Sequence, residues 1–352
     1  MTEEVKQRIS AFVQLGKTMK ELAESDTWPG FNCGLNEEEF TAFQQVVHSH
    51  IHHNGWFTPE NIRLALLAWS EALTEENLLK WIAPYNLQNP ANPKKVAIIC
   101  AGNIPMVGLH DVISVLITGH IAYIKLSSDD DKLIPAILQL FSNLNPVIVP
   151  RIVFSEQRLS GHEAVIATGS NNTSRYFAYY FKDVPHIIRK GRTSVAVIRG
   201  METDEEMKRL GHDIFDYFGL GCRNVSKVFV PVGFNLDRIF EAIYVFHPII
   251  NHNKYANNYD YNKAVWLLNR EELLDNGFIL FKQENRIASP TGSLFYEFYS
   301  DESKLKDTLD RHRDELQCVI GSNEIPFGES QKPQLWDYAD DVDTIRFLSE
   351  LH

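Results

Sequence analysis

The chain has 352 residues, 44% of them hydrophobic and 23% charged, the make-up of a folded protein long enough for two domains, which excludes wholesale disorder. Its formal net charge of -12 excludes a broad nucleic-acid-binding face, yet it leaves room for a local basic pocket that takes a small anionic cofactor. No apolar run is long enough to span a bilayer, and residues 1–30 carry charges throughout, so a cytoplasmic location is expected.

Residues up to about Pro84 read as helical, with apolar residues at helical spacing over 3–24 and 59–79. Four histidines, His48, His50, His52 and His53, fall in this part. His48 and His52 share a helix face, but no acidic or cysteine ligand stands at metal-site spacing, so a solvated or interface cluster is the preferred reading. The Asn- and Pro-rich stretch 86–95 (NLQNPANPKK) reads as a linker.

After the linker the pattern changes to strand, loop and helix in repetition. Strand 95–100 (KVAIIC) leads through loop 101–105 (AGNIP) into an apolar helix over 105–118. Strand 121–125, loop 126–129 (LSSD), a helix over 131–141 and a strand over 147–154 follow. The unit recurs as strand 164–168, loop 169–172 (GSNN) and helix 173–181. Strands alternating with helices at this spacing predict a doubly wound parallel sheet, whose ligands bind at the carboxyl ends of the strands, where these three polar loops fall. The acidic triplet 129–131 is expected at a helix start, where the helix dipole favours it.

The second half opens with a helix over 204–218, then 219–224 (GLGCRN) and strand 227–231. The glycine spacing suggests a phosphate loop, but here it follows a helix and opens a strand, the reverse of the order that motif requires. Two glycines before Cys222 instead permit an unusual backbone at the thiol, as a nucleophile beside an oxyanion hole needs. A buried structural cysteine is the standing alternative. Arg223 and Lys227 lie close by in sequence, and reactive thiols favour electropositive sites. Cys33, Cys100, Cys222 and Cys318 are far apart, form no CxxC pair and read as thiols without a disulfide. His247 and His252 read as structural histidines. The Asn- and Tyr-rich run 253–262 reads as a structured loop near a binding site or as a scaffolding polar network.

Together these segments resemble the aldehyde dehydrogenase superfamily from about Lys95 onward, and more closely its bacterial acyl-CoA reductase branch, which includes the long-chain fatty acyl-CoA reductases of luminous bacteria. The branch likeness also takes in 55–59 (GWFTP). The resemblance implies an aldehyde dehydrogenase-like α/β fold, with a doubly wound parallel-sheet cofactor domain and a smaller α/β catalytic domain. The division expected is an N-terminal helical segment over 1–90, the cofactor-binding domain over 91–200, the catalytic domain carrying the nucleophilic cysteine over 201–323, and a C-terminal tail over 324–352.

By the same resemblance, Asn103 in 102–105 (GNIP) helps hold the oxyanion and Cys222 is the nucleophile. Lys125, Ser127 and Ser128 in 124–129 (IKLSSD) match the stretch that holds the adenosine ribose, and Gly169 and Ser170 match the turn set against the pyrophosphate. Two departures carry information. Hydrolytic members place a water-activating Glu where this chain has Ile188, within 187–191 (IIRKG), and an enzyme that passes its acyl group to hydride has no need of that base. NAD-preferring members place Glu where this chain has Ser128, and loss of that carboxylate beside Lys125 favours NADPH over NADH.

The implied activity is NADPH-dependent reduction of an acyl thioester, acyl-CoA being the expected donor, to the aldehyde through an acyl-cysteine intermediate. The alternatives are a thiol-dependent acyltransferase or thioesterase, and a non-catalytic acyl-holding subunit of a reductase complex. A homo-oligomer or a partner enzyme in acyl transfer is left open, and no metal is expected.

Overall fold

The computed structural model describes residues 1–155, 158–321 and 325–351 and divides into two compact units, Met1–Lys190 with Pro333–His352, and Gly191–Lys332. The expected boundary between residues 323 and 324 lies outside the described residues.

The first unit opens with helices α1 (Glu3–Glu24), α2 (Glu37–Ser49), α3 (Pro59–Ala72) and α4 (Glu75–Ile82). Val5, Ile9, Phe12, Leu15, Met19 and Leu22 recur at helical spacing on α1 and are all buried. Phe12 stacks on Phe141 with ring centroids 4.7 Å apart, which ties α1 to a later helix. Helix starts are marked chemically: Asn36 and Glu39 form a reciprocal capping box on α2, and Thr58 caps α3 ahead of Pro59 at its first position.

The unit's sheet follows as β1 (Lys95–Ile99), α5 (Leu109–Ile117), β2 (Ile121–Lys125), α6 (Leu133–Leu144), β3 (Ile152–Phe154), β4 (Ala164–Thr168), α7 (Asn171–Tyr180) and β5 (His186–Arg189). The strands are all parallel in the order β3-β2-β1-β4-β5, the doubly wound arrangement expected. Because the strands are parallel, β1 and its neighbours β2 and β4 carry their following loops to the same edge of the sheet, and the strand order reverses at β1. The strand expected over 147–154 is instead a 3-10 turn, Pro146–Arg151, leading into the short β3. Pro146 and Pro150 bring no N–H to a ladder, which is why pairing waits until Ile152.

One buried ion pair closes this unit. Arg189, at the end of β5, reaches Asp111 on α5 through Nη1, and its Nη2 donates to Thr344 Oγ1 at 2.9 Å on the C-terminal helix Thr344–Ser349. Both charged side chains are almost fully buried.

The second unit is built from β6 (Thr193–Val197), α8 (Asp204–Phe215), β7 (Val225–Pro231), α9 (Asp237–Ile243), α10 (Asn253–Leu268), β8 (Leu274–Asp275), β9 (Leu280–Gln283), β10 (Ser293–Tyr299), α11 (Glu302–Arg311) and β11 (Leu316–Ile320). Its sheet has the order β11-β6-β7-β10-β9-β8 and is parallel except where β8 meets β9. Strand β6 was grouped by sequence with the cofactor-binding segment, but it pairs with β7 and β11, so the compact units divide at residue 190 rather than 200.

The run 253–262 is not a loop but the first part of α10. Tyr255, Tyr259, Asn262 and Trp266 fall on one helical face and are buried there. Tyr255 Oη donates to Phe278 O at 3.0 Å, and Asn262 Nδ2 to Thr291 O at 2.9 Å, so the run is a scaffolding polar network.

The buried ion pair gives a direct test of the first unit. Asp111→Ala leaves a buried guanidinium without its anion and should cost about 3–5 kcal/mol of unfolding free energy, with Asp111→Asn losing less. Urea denaturation measures both, and a loss of under about 1 kcal/mol for the alanine variant would contradict this role.

Candidate functional site

In the first unit the three loops expected to bind cofactor lie at the carboxyl ends of adjacent parallel strands, β2, β1 and β4. Asn103 is exposed in the loop after β1, and Lys125 is exposed at the last position of β2. Lys125 O accepts from Cys100 N at 3.0 Å, which carries the β1–β2 ladder one step past the strand. The two loops press together beyond it: a Cβ on Gly102 would come within 2.6 Å of Ser127 Oγ. Only glycine fits so close an approach. Ser127 Oγ accepts from Asp129 N at 3.2 Å, which closes its own turn.

Asp130 completes the contact between these loops. Its carboxylate is almost fully buried and accepts from Met106 N at 2.9 Å, where Met106 has a left-handed backbone (φ 58°). A second bond comes from the Leu133 amide at the start of α6. Burial pushes this carboxyl up to about 6, against the opposing pull of its two amide donors. Asp130 is therefore a buried strut between loops as well as an acid at a helix start, the place expected for it.

The N-terminal segment braces the same place. Asn54 Nδ2 donates to Asp129 O at 3.1 Å, and His53 Nε2 lies 3.1 Å from Ser128 O and 3.0 Å from Asp131 Oδ1. His50 is buried and stacked on Phe57, while His48 pairs with Asp26 at 3.0 Å. His53 thus supports the Ser128 loop, a role sequence reasoning missed. The adjoining 55–59 motif was its only sequence signal. Among the described residues no group of three or more His, Cys, Asp or Glu side chains is arranged to hold a metal, and no helix is long and apolar enough to cross a membrane.

After β4, Gly169 N donates to Arg189 O at 3.3 Å, and Ser170 caps α7 by accepting from Thr173 N at 3.3 Å. The first turn of α7 carries no acidic residue, so the partial positive charge of this helix start is not cancelled.

Cys222 sits in the second unit, half-exposed, between α8 and β7. The helix expected to reach 218 stops at Phe215, because Tyr217 (φ 54°), Phe218 (φ 58°) and Gly219 (φ 74°) turn left-handed one after another. Asn224 holds this costly turn with both ends of its amide. Its Nδ2 donates to Asp213 O at 3.1 Å and Asp216 O at 2.9 Å, and its Oδ1 accepts from Gly221 N at 2.8 Å. From the other side, the buried Asp213 carboxylate accepts from Gly328 N at 2.7 Å and Ser330 N at 3.0 Å, and Arg223 Nε donates to Ser330 O at 2.6 Å. The Cys222 carbonyl accepts from Ser194 Oγ at 2.9 Å.

The other cysteines differ in setting. None of the four is in a disulfide; Cys33 and Cys100 are buried, and Cys318, like Cys222, is half-exposed. Burial, with Asp111 and Asp130 nearby, pushes the Cys100 thiol far up, away from the reactive thiolate. The two cations near Cys222 in sequence are engaged elsewhere. Arg223 reaches Ser330, and the fully buried Lys227 bonds to Glu297 and to Asn285 O at 3.1 Å.

The model of the family described as acyl-CoA reductase (LuxC) matches residues 76–238, a span that includes the first sheet and Cys222. Over that span the chain is similar to the acyl-CoA reductases. The long-chain acyl-protein thioester reductase of Aliivibrio fischeri is 25% identical over 239 residues, covering 61% of this chain and 49% of that protein, so the match spans about half the length of the curated relative. Solved structures show the fold. The AldA indole-3-acetaldehyde dehydrogenase of P. syringae, a mutant in complex with NAD+ and IAA, matches with TM-score 0.64 at 13% identity over 91% of this chain and 72% of that one. The aldehyde dehydrogenase PutA of Anabaena variabilis matches with TM-score 0.61 at 14% identity over 93% and 76%. The aldehyde dehydrogenase-like α/β fold expected from the sequence is the fold observed.

Asp213 supplies a pH test of the frame around Cys222. Burial raises its carboxyl from 3.8 to about 6, so the stability tied to its neutral form is full below about pH 4 and is lost as pH rises through about 6. Unfolding free energies between about pH 4 and pH 7.5 should show the native protein losing on the order of 3 kcal/mol relative to Asp213→Asn. A difference that does not change with pH would contradict the assignment.

Proposed function

We propose that this protein reduces an acyl thioester to the aldehyde with a nicotinamide cofactor, through an acyl group held on Cys222. The observation that carries the reading is the Cys222 turn, a half-buried cysteine three residues past the left-handed stretch 217–219, in a loop fixed by Asn224, Asp213 and Arg223. Rigid presentation of one thiol is what nucleophilic catalysis requires.

The residues of the first unit fit a dinucleotide. The capped start of α7, free of acidic side chains in its first turn, suits a pyrophosphate, with Gly169 and Ser170 as its turn. The close approach of Gly102 to Ser127 leaves backbone and small hydroxyl side chains at the strand ends, where Lys125, Ser127 and Ser128 would take the ribose. Ser128 in place of a carboxylate, next to Lys125, supports NADPH over NADH, and the NAD+ complexes among the structural neighbours support a nicotinamide of either kind.

In the proposed reaction the Cys222 sulfur attacks the thioester carbon, and its own backbone amide holds the oxyanion. The bond to the donor sulfur breaks, the donor leaves as its thiol, and the acyl group stays on Cys222. When bound, a reduced nicotinamide supplies the hydride that brings this carbon to the aldehyde level. The Cys222 sulfur then departs as thiolate and the aldehyde is released. Ile188 packs into the apolar cluster around Ala97, Val165 and Ala167, so no carboxylate stands there to activate water. That supports transfer to hydride rather than hydrolysis. Acyl-CoA is the expected donor, in a cytoplasmic setting.

Cys222→Ala should abolish aldehyde formation from acyl-CoA and NADPH while leaving NADPH binding, read by fluorescence titration, nearly unchanged. Retained turnover would end this reading. Ser128→Glu should weaken NADPH by about 1–3 kcal/mol more than NADH, because the new carboxylate would face the 2′-phosphate. Equal losses for both cofactors would remove Ser128 from the ribose site.

A further inference from the structure

Ser194 stands at a junction of two irregular ladders. The β6–β7 register shifts between Ser194 and Val195, and the β11–β6 register shifts between Leu316 and Val319. Such irregularities release backbone groups from strand pairing and often lie beside active sites. Here the Ser194 hydroxyl, which is fully buried, takes up the backbone groups. It donates to Cys222 O at 2.9 Å, accepts from Cys318 N at 3.2 Å, and lies 3.0 Å from Cys318 Sγ.

Proton counting fixes the directions. A hydroxyl has one proton and two lone pairs. A carbonyl oxygen can only accept, so the single proton goes to Cys222 O. The two lone pairs are then met by the Cys318 amide and the Cys318 S–H, which makes Cys318 the donor of its contact. Three bonds complete the hydroxyl's capacity. They leave the peptide that follows Cys222 tied to β6, an inner strand of the sheet.

We infer that Ser194, with Cys318 as its thiol donor, positions Cys222 for attack by fixing the carbonyl of the nucleophile's own residue. This rests on the reading of Cys222 as the nucleophile. Neither residue is a reacting group; each acts on the geometry of Cys222. The thiol donor polarises the hydroxyl, which strengthens its bond to the carbonyl.

The test is single-turnover release of CoA from an acyl-CoA in the absence of nicotinamide, which reads acylation of Cys222 alone. Ser194→Ala should lower the release rate constant on the order of 10- to 100-fold, the scale of a small misplacement of a reacting group. The acyl-CoA concentration giving half the maximal rate should stay within about twofold of native, since positioning leaves ground-state binding alone. Cys318→Ala should slow release in the same direction, and Cys318→Ser, which restores a donor, should be faster than Cys318→Ala. A merely structural role would instead lower the burst amplitude and melting temperature without changing the rate constant. Should Ser194→Ala not fold, the Cys318→Ala and Cys318→Ser pair carries the test. A native burst with unchanged rate constants in the alanine variants overturns the inference alone. No burst from the native protein overturns the Cys222 reading, and this inference with it.

Discussion

A guanidinium buried as deeply as that of Arg189 is tolerated only where an anion meets it, and Asp111 is that anion. The consequences spread through the first unit because of where the two residues stand. Asp111 is on the helix that follows the Asn103 loop, and Arg189 ends the last strand of the sheet. The carbonyl of Arg189 also accepts the amide of Gly169, so one residue fixes both the ion pair and the turn that precedes α7. With Thr344 on the C-terminal helix as the third partner, the pair draws residues far apart in the chain onto the carboxyl edge of one sheet. The remaining loop, which holds Ser127 and Ser128, is fixed to the same edge by Asp130 and Asn54.

The second unit fixes its cysteine turn with an amide and a carboxylate. Three consecutive left-handed residues cost backbone energy, and they persist because the surroundings over-determine them. Asn224 bonds the end of α8 to the residue before Cys222, and Asp213 bonds the same helix to Gly328 and Ser330. A thiol presented on such a frame loses little conformational freedom when it reacts. Both units thus place buried carboxylates under their loops, Asp130 in one and Asp213 in the other, each raised to about 6 by burial.

Much of this was legible in the sequence, for identifiable reasons. Apolar runs such as 95–100 and 164–168 are strands because a sheet buried on both faces needs continuous hydrophobic residues. Gly219 marked the turn before Cys222 because glycine takes a left-handed backbone at little cost, and Tyr217 and Phe218 join it there without any sequence signal. What escaped the sequence depended on distant partners. The Tyr- and Asn-rich α10 has weak helical patterning, and its face is defined by Phe278 and Thr291, which lie on later segments. The prolines at 146 and 150 replaced most of a predicted strand with a turn. His53 and Asn54 gave no hint that their partners would be 75 residues away. Lys227 looked like a cation for the thiol, and only the pairing of β7 with β10 shows it turned toward Glu297.

The central claim is that an acyl group rests on Cys222 between arrival from a thioester and departure as aldehyde. Peptide mass spectrometry of the native protein mixed with acyl-CoA alone addresses it most directly. The account predicts one acyl group per chain, on the peptide containing Cys222, which added NADPH discharges as aldehyde. Acylation confined to another cysteine, or a Cys222 peptide left unmodified while CoA is released continuously, would contradict it.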